Sequence, residues 1–194
     1  MSAYIFEEFM DAVHIKECNF SERPIIEIEF VDCTFTSCDF TGADLSGSSF
    51  DNCVFEQCNL SLTRVAGAKM RGVQFKECKI SGVHFNKIDR FVIDFGFDTC
   101  QMRNCIFAEL NLMRCSFEGS VLVECDFYTT DLRQANFKAT DLNQSIFETC
   151  NLEKANFMDA INYTIDPTRN KVKKAVFSLP DAVGLLKGFE IVIQ

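Results

Sequence analysis

Tryptophan is absent from the 194 residues, histidine occurs twice, and basic residues are outnumbered 19 to 28 by acidic ones. The formal charge of -9 repels nucleic acid, which disfavours a direct DNA or RNA binder. No run of about eighteen apolar residues occurs, so no membrane-spanning helix is expected. The N-terminus, MSAYIFEEFMDAVHIKE, has acids where a secretory signal carries a basic region, so export is not expected. Catalytic signatures are missing as well. There is no G-x-S-x-G, no H-E-x-x-H and no phosphate-binding glycine loop, and His14 and His84 lie far apart. Neither an enzyme nor a metal or cofactor site is expected. What the chain has in excess is phenylalanine, 21 residues, and cysteine, 11. Its 47% hydrophobic and 24% charged content excludes a disordered chain.

Both excesses come from one internal repeat. Every fifth residue from Phe20 is apolar: Phe20, Ile25, Phe30, Phe35, Phe40, Leu45, Phe50, Phe55, Leu60, Val65, Met70, Phe75, Ile80, Phe85. Two additional residues within 86–95 shift the register. It resumes at Phe97 and runs through Met102, Phe107, Leu112, Phe117, Leu122, Phe127, Leu132, Phe137, Leu142 and Phe147 to Leu152 and Phe157. Of the 21 phenylalanines, 15 hold this central position. Two places before each centre the residue is usually small, and all 11 cysteines fall there. Two places after it stand six of the nine glycines, among them Gly42, Gly67 and Gly119.

A period of five fits neither a helix nor a strand. It requires a corner every five residues, with the centre and the small residue inward and the other three positions in water. Glycine two after the centre suits a corner with positive φ. Four sides close a square coil of twenty residues, and coils stack at about 4.8 Å. The expected fold class is therefore all-β, a parallel solenoid in which each coil touches only its neighbours.

The motifs Ala43-Asp44-Leu45, Cys58-Asn59-Leu60, Cys125-Asp126-Phe127, Ala135-Asn136-Phe137 and Cys150-Asn151-Leu152 resemble the pentapeptide repeat family over residues 18–160. The resemblance implies a right-handed quadrilateral parallel β-helix. It also points to the Qnr and MfpA quinolone-resistance types, thought to mimic DNA and engage DNA gyrase or topoisomerase IV. Those types imply a type II topoisomerase as partner and a homodimer formed through the C-terminus. The chain lacks the projecting loops of the Qnr type, and the binding of some other, non-topoisomerase partner stays open.

The expected division is an N-terminal cap over 1–17, the β-helix over 18–166, and a C-terminal helix and strand over 167–194. In the first segment Phe6, Phe9, Met10 and Val13 recur at helical spacing, an ambiguous signal in so short a stretch. At the other end Ser178-Leu179-Pro180-Asp181 reads as a capping box opening a short helix cap. Leu179, Val183, Leu185, Leu186, Phe189, Ile191 and Ile193 make this end apolar enough either to cover its own last coil or to form a dimer interface. The cysteines read as buried structural thiols, with Cys18, Cys38, Cys58, Cys78 and Cys100 in one ladder, which implies a reducing, cytoplasmic setting. Phe91 and Phe95 are expected to plug the register shift, and Arg23 to distort its slot.

Charge is segregated along the chain: residues 1–60 hold 12 acids and 2 bases, 61–90 hold 2 and 7, and 91–166 hold 12 and 5. Coil geometry gathers Glu109, Glu124, Asp126, Asp141 and Glu148 on two adjoining faces, with few bases among them. These five are the candidate partner-binding surface. About seven coils give a rod of about 34 Å, near one turn of B-DNA. Regular carboxylates on such a rod would attract a protein surface built to neutralise phosphates.

Overall fold

The computed structural model describes residues 6–189 and builds the square coil that the period demands. Short strands recur along the sides, such as Glu29–Val31, Thr34–Thr36, Ser49–Asp51 and Val54–Glu56. They pair in parallel with residues one coil on, Phe30 with Phe50 and Phe35 with Phe55. Sides too short for a strand keep the ladder through single bridges, as in Asn19, Asp39 and Asn59. Four flat faces result, named here by their centres: the Phe20, Ile25, Phe30 and Phe35 faces.

The core is a set of stacked columns. On the Phe35 face eight phenyl rings stack without a break, from Phe35 through Phe55, Phe75, Phe97, Phe117, Phe137 and Phe157 to Phe177. Successive centroids are 4.7–5.3 Å apart. The coil rise sets this spacing, and it suits aromatic stacking. On the Ile25 face Phe85, Phe107, Phe127 and Phe147 repeat it at 4.9–5.0 Å. Rings of neighbouring columns meet edge-on, as Phe117 and Phe127 do at 90°.

The small inward slot has a polar role besides its size. Many centre carbonyls accept an amide three residues on, and where the slot of the next coil holds Ser, Thr or Cys its side chain supplies a further donor. The Phe117 carbonyl takes the Ser120 amide at 3.1 Å and the Thr140 hydroxyl at 2.8 Å. Ser48 donates likewise to Ile25 at 2.7 Å, and Thr63 to Phe40 at 2.9 Å. Cysteine does the same, with Cys58 Sγ 3.3 Å from the Phe35 carbonyl and Cys150 Sγ 2.9 Å from that of Phe127. Small volume plus one donor explains why Cys, Ser and Thr share the slot. All the cysteines are free thiols. Burial pushes Cys53 up to about 12 and Cys150 up to about 11, which leaves them protonated and inert at neutral pH.

The corner two places after a centre has positive φ nearly throughout, whether or not it holds glycine: Gly42 at 66°, but also Glu22 at 56°, Leu62 at 59° and Arg114 at 67°. Coil closure overrides the steric preference of those residues. Glycine has a further reason at Gly42 and Gly72, where a Cβ would lie 2.3 Å from Glu22 Oε1 and 2.5 Å from Asn52 Oδ1, side chains leaning over from the coil before.

Several expectations need correction. The segment 1–17 is not a separate cap: Phe9–Asp11 and His14–Lys16 are strands of the first coil, paired with Glu29–Val31 and Thr34–Thr36. Met10 and Ile15 continue the period of five backwards from Phe20. The coil also outlasts residue 166, since Asn156–Phe157 pairs with Val176–Phe177. From Ile15 to Phe177 the Phe35 face therefore climbs eight steps, about 38 Å rather than 34 Å at about 4.8 Å each.

The register shift is a coil of 22 residues that aligns Phe75 with Phe97. A three-ten turn over Phe85–Lys87 leads into it. Ile88 and Phe95 fill the offset, both 4% exposed, whereas Phe91 is 93% exposed and plugs nothing. Arg23 does not distort its slot: Pro24 keeps its bridge to Asp44, and the guanidinium lies 6.0 Å from the centre of the Phe20 ring. At the C-terminus a three-ten helix, Asp181–Phe189, follows the last strand. Ser178 does not cap it through a capping box; its hydroxyl accepts the Asp159 amide at 2.6 Å. Ile191 and Ile193, with the expected terminal strand, lie outside the described residues.

Candidate functional site: the charged surface of the rod

Outward positions fall into two chemical kinds. The Asp or Asn just before a centre accepts the amide two residues on, and so serves the fold. Asp39 takes the Thr41 amide at 2.9 Å and Asp126 that of Tyr128 at 2.8 Å. Burial works against ionisation of Asp44, but the Ser46 hydroxyl and amide and the Arg64 guanidinium outweigh it and hold the carboxyl below its usual range. Asp131 is held down in the same way, its burial overcome by Arg133.

Corner carboxylates have no such duty. Glu17, Glu22, Glu27 and Asp32 occupy four successive corners of the N-terminal coils, with φ between 51° and 58°, and all four are exposed. Among the described residues none of them forms an ion pair. They ring one end of the rod. Further along, Lys69, Lys76, Lys79 and Lys87 encircle the rod just before the register shift, and these too lack an ion-pair partner among the described residues.

The five carboxylates picked out by sequence lie on the Phe20 and Ile25 faces and their corners, but bases are not scarce around them. Glu109 meets Arg90 at 3.6 Å, Glu124 meets Arg103 at 3.2 Å, and Glu148 meets Arg169 at 2.8 Å. These partners lie about one coil away, so a search for bases about twenty residues before or after each carboxylate would have found them. Asp126 and Asp141 remain without an ion pair among the described residues. Asp141 accepts the Asn143 amide and Asn162 Nδ2. Sequence reasoning missed their neighbours, the exposed Val121, Tyr128, Ile146 and Ile161. For Val121, Ile146 and Ile161 the available signal was a β-branched residue where the repeat ordinarily puts Asp or Asn; Tyr128 follows its centre and has no such signal.

At the C-terminal end Leu185 packs against the core, while Leu179, Val183, Leu186 and Phe189 are exposed, Leu179 to 80%. Among the described residues no three His, Cys, Asp or Glu converge as a metal site, and no helix is long and apolar enough to cross a membrane.

Square coils with inward centres and exposed polar corners define a parallel β-solenoid with its chemistry on the outside. The family comparison names it. The model for a pentapeptide repeat region matches residues 28–96, and that for pentapeptide repeats in eight copies matches 97–134, 111–148 and 135–161. The chain belongs to the pentapeptide repeat family.

Comparison with curated proteins finds no match. Among solved structures, QnrB1, a plasmid-mediated fluoroquinolone resistance protein, is 17% identical with a TM-score of 0.49, covering 96% of this chain and 100% of that one. HetL of the cyanobacterium Nostoc, a pentapeptide repeat protein involved in heterocyst differentiation regulation, is 14% identical with a TM-score of 0.41, covering 84% and 85%. A pentapeptide repeat protein of the Arabidopsis thaliana thylakoid lumen is 17% identical with a TM-score of 0.28, covering 70% and 69%.

Proposed function

We propose that the rod is a non-enzymatic binding scaffold whose N-terminal coils stand in for duplex phosphates before a protein with a cationic nucleic-acid-binding cleft. DNA gyrase and topoisomerase IV are the partners that the resemblance to the Qnr and MfpA types singles out, with protection from quinolones as the consequence. The observation that carries the reading is the ring of Glu17, Glu22, Glu27 and Asp32, exposed and without ion pairs among the described residues. Carboxylates fixed on a rigid coil meet Lys and Arg at a lower ordering cost than those of a flexible acidic tail. A gyrase supercoiling assay with ciprofloxacin tests it. The parent protein rescues or inhibits the enzyme, and the variant with Glu17→Gln, Glu22→Gln, Glu27→Gln and Asp32→Asn loses that effect. A parent without effect at any concentration removes the topoisomerase from the reading.

The lysine belt favours a second reading, a scaffold for a partner other than a topoisomerase, because Lys69, Lys76, Lys79 and Lys87 interrupt the anionic surface. Such a partner is captured without steep dependence on salt, whereas a phosphate-binding cleft is released by it.

A homodimer through the C-terminal end belongs to the same proposal. Leu179, Val183, Leu186 and Phe189 support it, since they leave apolar surface exposed beyond the last coil. A chain ending at Ser178 keeps its last strand and sediments as a monomer. A reducing compartment such as the cytoplasm suits the free thiols.

A further inference from the structure

Two ladders on adjoining faces break the rule that outward positions are polar. On the Phe20 face Val121, Asp141 and Ile161 stand in parallel register, and on the Ile25 face Ile106, Asp126 and Ile146 do so. Each aspartate is thus flanked, one coil before and one coil after, by β-branched apolar residues. Val121, Ile146 and Ile161 are 40–52% exposed, and Tyr128, which donates its amide to Asp126, is 47% exposed. In the N-terminal coils the same two ladders read Asn19, Asp39, Asn59 and Pro24, Asp44, Arg64. Single exposed apolar residues are ordinary on any surface. A repeated order of apolar, Asp, apolar on two adjoining faces is a pattern.

Charge sharpens it. Glu124 at the corner between the two faces and Glu148 beside Ile146 are neutralised by Arg103 and Arg169. Asp126 and Asp141 make no ion pair among the described residues. The edge therefore presents two unneutralised carboxylates set in apolar surroundings.

We infer that this edge docks a protein surface that brings two cationic side chains, Lys or Arg, each flanked by apolar ones. The chemistry disfavours other occupants. A plain polycation would satisfy the aspartates and leave the isoleucines in water. An anionic membrane would be repelled by the two carboxylates. A second copy offers Lys79 on this same Phe20 face, but its ladder neighbours there are Asn59 and Gln101, not the apolar residues that the edge calls for. The inference stands apart from the duplex-mimic reading, which uses the other end of the rod.

The test uses the full chain as bait and random peptides displayed on phage as the probe. The expected outcome is a recovered class with basic residues spaced among apolar ones. It binds the Asp126→Asn/Asp141→Asn variant and the Ile146→Ser/Ile161→Ser variant about tenfold more weakly than the parent. It binds Glu22→Gln/Glu27→Gln as it binds the parent. Asparagine is chosen because it retains the acceptor for the Tyr128 and Asn143 amides, and an unchanged thermal midpoint shows that each variant is folded. Failure to recover a class, peptides without basic residues, or binding to either ladder variant as tight as to the parent overturns the inference. So does a class that follows Glu22 and Glu27 instead, which would speak for the acidic end alone.

Discussion

The coils before the three-ten turn at Phe85–Lys87 and those after Phe97 share an interior and differ outside. The phenyl column of the Phe35 face runs through both, with Phe55 on Phe75 at 5.1 Å and Phe117 on Phe137 at 4.9 Å. Outside, among the described residues, the earlier coils leave most carboxylates without an ion pair, the pairs there being Asp44 with Arg64 and Asp51 with Arg71. In the later coils Glu109, Glu118, Glu124, Asp131 and Glu148 are all paired. The period of five specifies the interior and, at many sides, the Asp or Asn acceptor before the centre, and leaves the other outward side chains free to vary. Any difference in what the two halves bind therefore resides in outward side chains, few of which the fold requires.

If the interior is common property, equal damage should cost equally in both halves. Phe55→Ala and Phe117→Ala each remove one ring from the middle of the same column. Each is expected to destabilise by about 3–5 kcal/mol, and the two to agree within about 1 kcal/mol. Chemical denaturation monitored by circular dichroism measures both. A much smaller loss for either would mean that its half does not share the column's cooperativity.

The slot bond is the next largest effect. Thr140→Val keeps the volume and removes the donor to the Phe117 carbonyl, at an expected cost of about 1–1.5 kcal/mol. In the earlier half Cys58→Ser replaces the thiol donor to the Phe35 carbonyl by a hydroxyl, the kind of donor that Ser48 supplies to Ile25 in another slot. It is expected to stay within about 0.5 kcal/mol of the parent. Equal losses from the two changes would show that volume alone governs the slot.

These effects also mark how far the sequence could be read. Centres, small slots and glycine corners were legible from Phe20 to Phe157, because each residue type keeps one phase. The start was hidden because Phe6, Phe9, Met10 and Val13 also fit a helix, although Met10 and Ile15 stand ten and five residues before Phe20. The slot was read as a matter of size, since a thiol's donor role depends on a carbonyl 23 residues earlier. The pairing of Glu124 with Arg103 runs between coils, where charge tallied face by face does not reveal it. The exposure of Phe91 was not legible, because an offset coil has no period to place it.

Corners give a reciprocal pair across the two halves. Gly67 has φ 67°, and a Cβ there would meet no heavy atom nearer than 4.0 Å. Gly67→Ala therefore carries the backbone cost alone, about 1 kcal/mol. Ala139 occupies the same kind of corner at φ 54°, so Ala139→Gly relieves up to about 1 kcal/mol. Thermal midpoints moving in opposite directions would establish that the corner is one conformation throughout. A stabilising Gly67→Ala would refute it.

The smallest expected effect uses one held-down carboxyl from each half, Asp44 and Asp131. Their folded-state pKa lies below the unfolded value, so their contribution is complete above about pH 4 and is lost as pH falls through the folded value. Each side chain is partly exposed, 20% for Asp44 and 26% for Asp131, and the contribution of each is expected to stay below about 1 kcal/mol. Asp44→Asn and Asp131→Asn keep the acceptor for the following amide and discard the charge. Each variant should therefore melt below the parent at about pH 6 and converge with it near about pH 3. If the gap instead stays constant with pH, the side-chain charge is irrelevant to stability in that half, and the ion pairs of the two halves differ only in what they present to a partner.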